Sequence, residues 1–327
     1  MYDPRNTKLK RVCLALGVAT LVLAVLLVFS LRALHQQKTA AREALAELES
    51  APAVTIDGEQ AMRLAEQYGV STEYLQLLLP DYIVYRDAGS YVFAPLDPAV
   101  PLHSYDWSRL TYYNHRTQYR DERFADVCYG VDVSVYQKEI DWNRVAADGV
   151  SFAMVRIGYR GYTQGLLFQD EYAEANLQGA LDAGLDVGAY FFSQAVTVEE
   201  AEAEADLVIS VLDGYNVAYP VAFDMEEIND AARTDTLTDE ERTDIAIAFC
   251  QRIADAGYTP MIYGNLRWLV GRLQLNRLTA YPIWFAQYYD HPVLPYFFTM
   301  WQYTSSGRVD GIPGDVDLNI CFTQYGR

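Results

Sequence analysis

Residues 12–31 form a run of 20 apolar and small positions without a charge, preceded by Arg5, Lys8, Lys10 and Arg11. That length and that flanking charge predict a membrane-spanning helix with its amino end in the cytoplasm. A cleaved secretory signal is the competing reading. Its apolar core is usually shorter, and no small-x-small cleavage site follows here before Arg32 and His35. Residues 32–50 are rich in Ala, Glu and Leu, with Leu34, Ala41, Leu45 and Leu48 at roughly helical spacing, which predicts a helical stalk ending at Ala51-Pro52-Ala53. Beyond it, residues 54–96 read as a short strand, two short helices meeting around Gln67-Tyr68-Gly69-Val70-Ser71, and a closing strand at 91–94. Residues 98–127 mix turn formers with Trp107, Tyr112, Tyr113 and Tyr119, and no periodicity classifies them.

From residue 128 the pattern becomes regular. β-rich apolar runs at 129–134, 152–159, 187–193, 220–226 and 260–264 alternate with amphipathic segments, which predicts parallel strands covered by helices. Between the third and fourth runs, Val198, Ala201, Ala205, Ile209 and Leu212 make an apolar stripe while Glu199, Glu202 and Asp206 face water. Thr197 with Glu200, and Thr238 with Glu241, fit capping boxes that fix helix starts. Three strands with short connections then follow, at 282–288, 299–303 and 315–321. The predicted fold is α/β: an irregular TIM-like barrel of five βα units and three further strands over residues 128–327. It is preceded by a cytoplasmic tail (1–11), a transmembrane helix (12–31), a stalk (32–50) and a small α+β spacer domain (51–127).

Charge narrows the function classes. Of 25 basic and 44 acidic residues, Arg5, Lys8, Lys10, Arg11 and Arg32 with Asp3 precede residue 33, so the remainder carries 20 against 43, a net −23. That opposes nucleic-acid binding. Cys13 lies in the membrane segment, and Cys128, Cys250 and Cys321 are an odd set without metal-ligand spacing, so a disulfide framework is not expected. The four histidines, His35, His103, His115 and His291, are not at zinc spacing, and neither a Gly-x-Ser-x-Gly elbow nor a Walker loop is present. No metal or organic cofactor is implied, so carboxylates must carry any reaction.

Two carboxylates stand out. Asp224 and Glu226 close the apolar run Tyr-Pro-Val-Ala-Phe-Asp-Met-Glu, and alternation along a strand places both on one face, about 7 Å apart. Burying two acids is costly unless they are paired, hydrogen-bonded or protonated, so such a pair points to chemistry. Glu227 alternates to the other face. In barrels of this kind the reactive residues sit at the carboxyl ends of strands. Those ends hold Asp132, Asp224, Glu226 and Asp317, accompanied by Tyr190, Tyr263, Trp284 and Trp301, aromatics suited either to stacking on sugar rings or to filling the core. Arg156 is placed to pair with the acids or with substrate.

These segments resemble the glycoside hydrolase family 25 lysozymes, muramidases that cut between N-acetylmuramic acid and N-acetylglucosamine. The matching pieces are Gly130-Val131-Asp132-Val133-Ser134 with Ile140-Asp141-Trp142, Val155-Arg156-Ile157-Gly158-Tyr159, Asp224-Met225-Glu226, Trp284-Phe285-Ala286-Gln287-Tyr288, Trp301-Gln302-Tyr303 and Val316-Asp317-Leu318-Asn319. They span about 200 residues in family order. The resemblance implies Glu226 as general acid and Asp224 as the group that orients the substrate's N-acetyl arm and stabilises developing positive charge. Asp132 and Asp317 would shape the electrostatics, and Gln287 would join Tyr190, Tyr263, Trp284, Trp301 and Arg156 in holding substrate. The Tyr-Gly-Val-Ser turn at 68–71 separately resembles a LysM wall-binding module, against a plain spacer domain as the other reading.

Together these expectations describe a single-pass membrane protein whose catalytic domain faces the cell wall from outside and whose partners are peptidoglycan strands and, through residues 12–31, the cytoplasmic membrane. The alternatives are a catalytically silent wall-binding or scaffold protein that keeps the sugar groove, and an enzyme acting on another N-acetylated glycan.

Overall fold

A computed structural model describes residues 58–326 apart from 114, 125, 126, 229 and 230, together with Arg32 and Thr39. The expected membrane helix, nearly all of the stalk and the short strand after it lie outside the described residues. Among the described residues no helix is long and apolar enough to cross a membrane. The chain divides into two compact units, Met1–Ala61 and Met62–Arg327, so residues 62–127 group with the barrel. The second unit is described below.

It begins within α1 (Gly58–Tyr68), which stops where Gly69 takes φ 63°, a left-handed conformation that costs glycine little. In α2 (Thr72–Leu78), Ser71 caps the helix by accepting from the Tyr74 amide. A hairpin of β1 (Tyr82–Asp87) and β2 (Ser90–Pro95) follows. Its two turn residues, Ala88 and Gly89, both have positive φ, matching the twist of the flanking strands. The Gln76 side chain ties α2 to β1 by donating to the Tyr82 carbonyl and accepting from the Val84 amide. A second antiparallel pair, β3 (Leu110–Tyr113) with β4 (Arg116–Tyr119), leads into the barrel. The aromatics that periodicity left unclassified divide here. Trp107 and Tyr119 pack, together with Tyr105, against Phe298 and Phe322, whereas Tyr112 and Tyr113 are exposed.

The barrel runs β5 (Cys128–Val133), α3 (Trp142–Ala147), β6 (Phe152–Arg160), β7 (Leu167–Gln169), α4 (Ala173–Asp182), β8 (Asp186–Phe192), α5 (Val198–Leu212), β9 (Val221–Asp224), α6 (Asp239–Asp255), β10 (Pro260–Asn265), α7 (Leu266–Gly271), β11 (Ile283–Ala286), β12 (Met300–Gly307) and β13 (Val316–Cys321). The strand order is β5-β13-β12-β11-β10-β9-β8-β6, closed by a β5–β6 pairing, with β7 added where β6 outruns β5. Every pairing from β5 through β6 to β12 around the barrel is parallel, and β13 is antiparallel to both its neighbours. Thr197 and Thr238 each cap the helix that follows, α5 and α6, and Thr238 forms the full box with Glu241.

Strand alternation sorts the side chains into two layers. Val131, Val155, Val187, Phe223 and Ile262 face outward into the core beneath the helices. Phe152, Met154, Ala222, Met261, Trp284 and Met300 face inward and fill the barrel. The plug is close enough that a Cβ on Gly130 would lie 2.4 Å from the Phe152 ring, so only glycine fits there. The strand expected at 220–226 ends at Asp224, and Glu226 stands in the loop beyond it. The two acids are therefore a strand end and a loop residue, where the apolar run had placed both within one strand.

Candidate active site

Above the apolar plug, the inward positions at the carboxyl ends of the parallel strands turn polar. Asp132 on β5 lies directly opposite Asp317 on the antiparallel β13, so the two carboxylates share one face at the shortest cross-strand spacing. Asp132 accepts from Gln302 Nε2 at 2.9 Å and from Asn319 Nδ2 at 2.8 Å. Both amides are held in turn: Gln302 Oε1 accepts from the Tyr263 and Tyr288 hydroxyls, each at 2.9 Å, and Asn319 Oδ1 accepts from Trp284 Nε1 at 2.8 Å. These partners fix which end of each amide faces the carboxylate. Five residues thus orient Asp132 through two relays.

The acids pay for their burial in proton affinity. Burial, and then the like charge of Asp317 across the strand pair, hold the Asp132 carboxyl well above the usual carboxylate range. Burial lifts Asp317 to about 6. Asp224 is raised well above its ordinary value by burial and then by Glu226, and burial raises Glu226 as well. The contact between the two side chains raises Asp224 further and lowers Glu226, so in the free site Asp224 holds a proton more firmly than Glu226 does. Asp224 Oδ1 is buried and has no hydrogen-bond partner among the described residues.

These four carboxyls line a cavity of about 930 Å³, at the upper end of the range for small-molecule sites. Tyr190 and Trp284 lie in its wall, and Tyr136, Tyr159, Tyr162 and Phe168 supply an aromatic rim. Arg156 lines it too, but its charge is committed: its guanidinium pairs at 2.8 Å with the buried Asp170 and lies over the Tyr136 and Tyr159 rings. It still lowers the proton affinity of Asp224 through space. Asp170 also accepts from the Val135 and Tyr172 amides, tying the loop after β5 to the start of α4. Among the described residues no group of His, Cys, Asp and Glu has an arrangement to hold a metal ion.

Of the aromatics picked from the strand ends, Tyr190, Tyr263 and Trp284 line this cavity and Trp301 does not. Trp301 is fully buried on the outward face, packed near Trp107 and Tyr303, with its indole donating to the Gln287 carbonyl. It is a core residue, because its position on β12 is one residue out of phase with the inward-facing Gln302. Gln287 lines a neighbouring cavity, with its side chain accepting from the Val293 amide. Gln302, Asn319, Tyr288 and Asp170 were not singled out in the sequence. The first three lie inside the quoted motifs, and strand alternation from Asp317 would have found Asn319. Asp170 carried no such signal.

The family model Glycosyl hydrolases family 25 matches residues 131–312, more than half of the chain. The chain belongs to that family. This family 25 chain is 32% identical over 202 residues to "Lysozyme M1" of Streptomyces globisporus, an alignment covering 58% of the chain and 66% of that relative. A family 25 glycosyl hydrolase structure from Bacillus anthracis superposes with a TM-score of 0.53 at 23% identity over 65% of this chain and 95% of its own. The modular autolysin LytC from Streptococcus pneumoniae, solved with a synthetic peptidoglycan ligand, superposes with a TM-score of 0.54 at 21% identity. The alignment covers 73% of this chain and 56% of LytC. Both structural likenesses speak to the barrel fold. The family 25 match makes the barrel a glycoside hydrolase domain of the lysozyme type.

Proposed function

We propose that this glycoside hydrolase cleaves the β-1,4 bond between N-acetylmuramic acid and N-acetylglucosamine in peptidoglycan, with Glu226 as general acid and Asp224 assisting the substrate's own N-acetyl group. The observation that carries this reading is that Asp224 and Glu226 line one cavity with Asp132 and Asp317, with a buried Asp224 oxygen left unpartnered among the described residues. Once the substrate's N–H donates to Asp224 and favours its charged form, the proton of the pair rests on Glu226, which gives it to the glycosidic oxygen as the bond to the anomeric carbon breaks. The N-acetyl carbonyl oxygen attacks that carbon. Its amide N–H donates to Asp224, whose charge stabilises the positive ring that forms. Water then opens the ring, losing a proton to the Glu226 carboxylate and restoring the acid. This is one of the recognised departures from the simple two-carboxylate schemes. Asp132 and Asp317 supply negative potential around the sugar and hold hydroxyls or the incoming water.

The test of bond specificity is reduction of the digested wall with borohydride followed by sugar analysis: the reading requires reduced muramic acid at the new ends, and reduced glucosamine would contradict it. The catalytically silent scaffold is the second reading, and the complete set of four acids weighs against it. We place the chain as a single-pass protein of the cytoplasmic membrane, anchored through residues 12–31 with the catalytic domain facing the wall. That placement rests on the charge-free run and its basic flank. Protease added to intact wall-stripped cells would digest the domain if it holds, and protection of the domain would overturn it.

A further inference from the structure

A second cavity, of about 450 Å³, opens beside the first, and the hairpin module that precedes the barrel walls it on one side. Thr72 and Gln76 of α2 with Tyr85 and Arg86 of β1 face Arg267 and Gln287 of the barrel across it. The two cavities meet at Glu226, Tyr263 and Tyr288, which line both, whereas Asp132, Asp224 and Asp317 line only the deep one. Asp87 at the end of β1 pairs with Arg272 at 2.7 Å and with Arg267, and Arg267 also pairs with Glu227, the neighbour of the acid. Ion pairs therefore fix the module's position relative to Glu226.

Arg86 differs from these arginines. It is exposed, it has no carboxylate partner among the described residues, and it is held over the Tyr91 ring at 4.2 Å with Nη2 donating to the Tyr91 hydroxyl at 2.6 Å. In a chain of net charge −19, it is a cation positioned on a cavity wall and left available.

We propose that the module-walled cavity receives the leaving-group side of the glycan, with Arg86 binding a carboxylate of the peptide stem carried there. The proposal rests on the muramidase reading and adds a side to it. The acids that act on the anomeric carbon line only the deep cavity, so the sugar being attacked sits there. The general acid must reach the oxygen between that sugar and the next, and Glu226 stands where the two cavities join. The chain beyond that oxygen then has the module as its wall, and its stems are the carboxylate-rich part of the polymer. Arginine suits that contact, because its guanidinium is planar and matches a carboxylate with two parallel hydrogen bonds.

The test uses the full chain carrying Glu226→Gln, so that substrate binds without being cut. Its affinity is measured by calorimetry for a peptidoglycan tetrasaccharide with pentapeptide stems and for the same sugar with stems removed. Adding Arg86→Gln is expected to weaken binding of the stem-bearing ligand about tenfold and of the bare sugar less than twofold, with Arg86→Lys keeping most of the affinity. Thr72→Trp, which fills the cavity from α2, is expected to weaken both ligands, and it carries the test if Arg86→Gln lowers the melting temperature. Unchanged affinity for both ligands in both variants would overturn the proposal and leave the muramidase reading standing. Failure of Glu226→Gln to bind either ligand, with no new reducing ends from the wild type, would overturn both.

Discussion

Asp317→Asn is expected to make the protein more stable at neutral pH while making it a poorer catalyst. The Asp317 carboxyl has a pKa of about 6 in the fold against an ordinary 3.8, so folding disfavours its charged form. The folded state holds this proton where the unfolded chain has lost it. Stability is therefore fully present below pH 3.8, declines as pH rises from there toward 6, and levels off above. About two pKa units correspond to about 3 kcal/mol, and water still reaching the carboxylate screens part of it, leaving about 2 kcal/mol. Asparagine keeps the shape and removes the charge, which also relieves Asp132 across the β5–β13 pair. Urea unfolding of wild type and variant at pH 4 and pH 7.5 measures it. The expected gap is near zero at pH 4 and about 2 kcal/mol in favour of the variant at pH 7.5. An equal gap at both pH values, or a wild type that is the more stable at pH 7.5, would refute the argument that burial of this charge is unfavourable.

Further outcomes follow from other partners of the site. Asp170→Ala leaves the Arg156 guanidinium unpaired beneath the cavity and is expected to cost about 3–5 kcal/mol by chemical denaturation, a loss below 1 kcal/mol contradicting it. Arg160→Met removes the partner of the fully buried Glu204, whose carboxyl burial has already pushed up to about 7. Its destabilisation should be constant below about pH 7 and grow above it, where wild-type Glu204 gives up its proton beside Arg160 and the variant's must keep it, and a pH-independent loss from about pH 5 to about pH 9 would count against this. Asn319→Leu takes a hydrogen bond from the Asp132 carboxylate and the acceptor from Trp284, and is expected to lower kcat about ten- to hundredfold, the equivalent of one charged hydrogen bond. Activity within twofold of wild type would remove Asp132 from the machinery.

Much of this was legible in the chain because strands announce themselves through alternation and turns. The runs at 129–134, 187–193 and 260–264 emerge within a residue or two as β5, β8 and β10, and Thr197 and Thr238 cap the helices they were expected to cap. Where the alternation was read through a strand's end it misled. Glu226 leaves β9 before its turn to face inward comes, yet the loop returns it to Asp224. Trp301 is a large aromatic in a quoted motif, but phase decides, and Gln302 beside it is the residue that faces the site. β1 escaped notice because its run at 82–87 carries no clean polar face, and the module–barrel ion pairs of Asp87 join residues about 180 positions apart, which no local pattern encodes. Asp170 has the same character in part: a buried acceptor whose donors at Val135 and Arg156 come from other segments, alongside the neighbouring Tyr172 amide.

The most direct test of the account is the turnover of Glu226→Gln on purified peptidoglycan, measured as new reducing ends beside wild type. Glutamine keeps the volume of the side chain and cannot give up the proton, so kcat should fall about a hundred- to ten-thousandfold while the variant still binds the wall. A variant that turns over within a few-fold of wild type would contradict the central claim, because the proton for the leaving oxygen would then come from somewhere else.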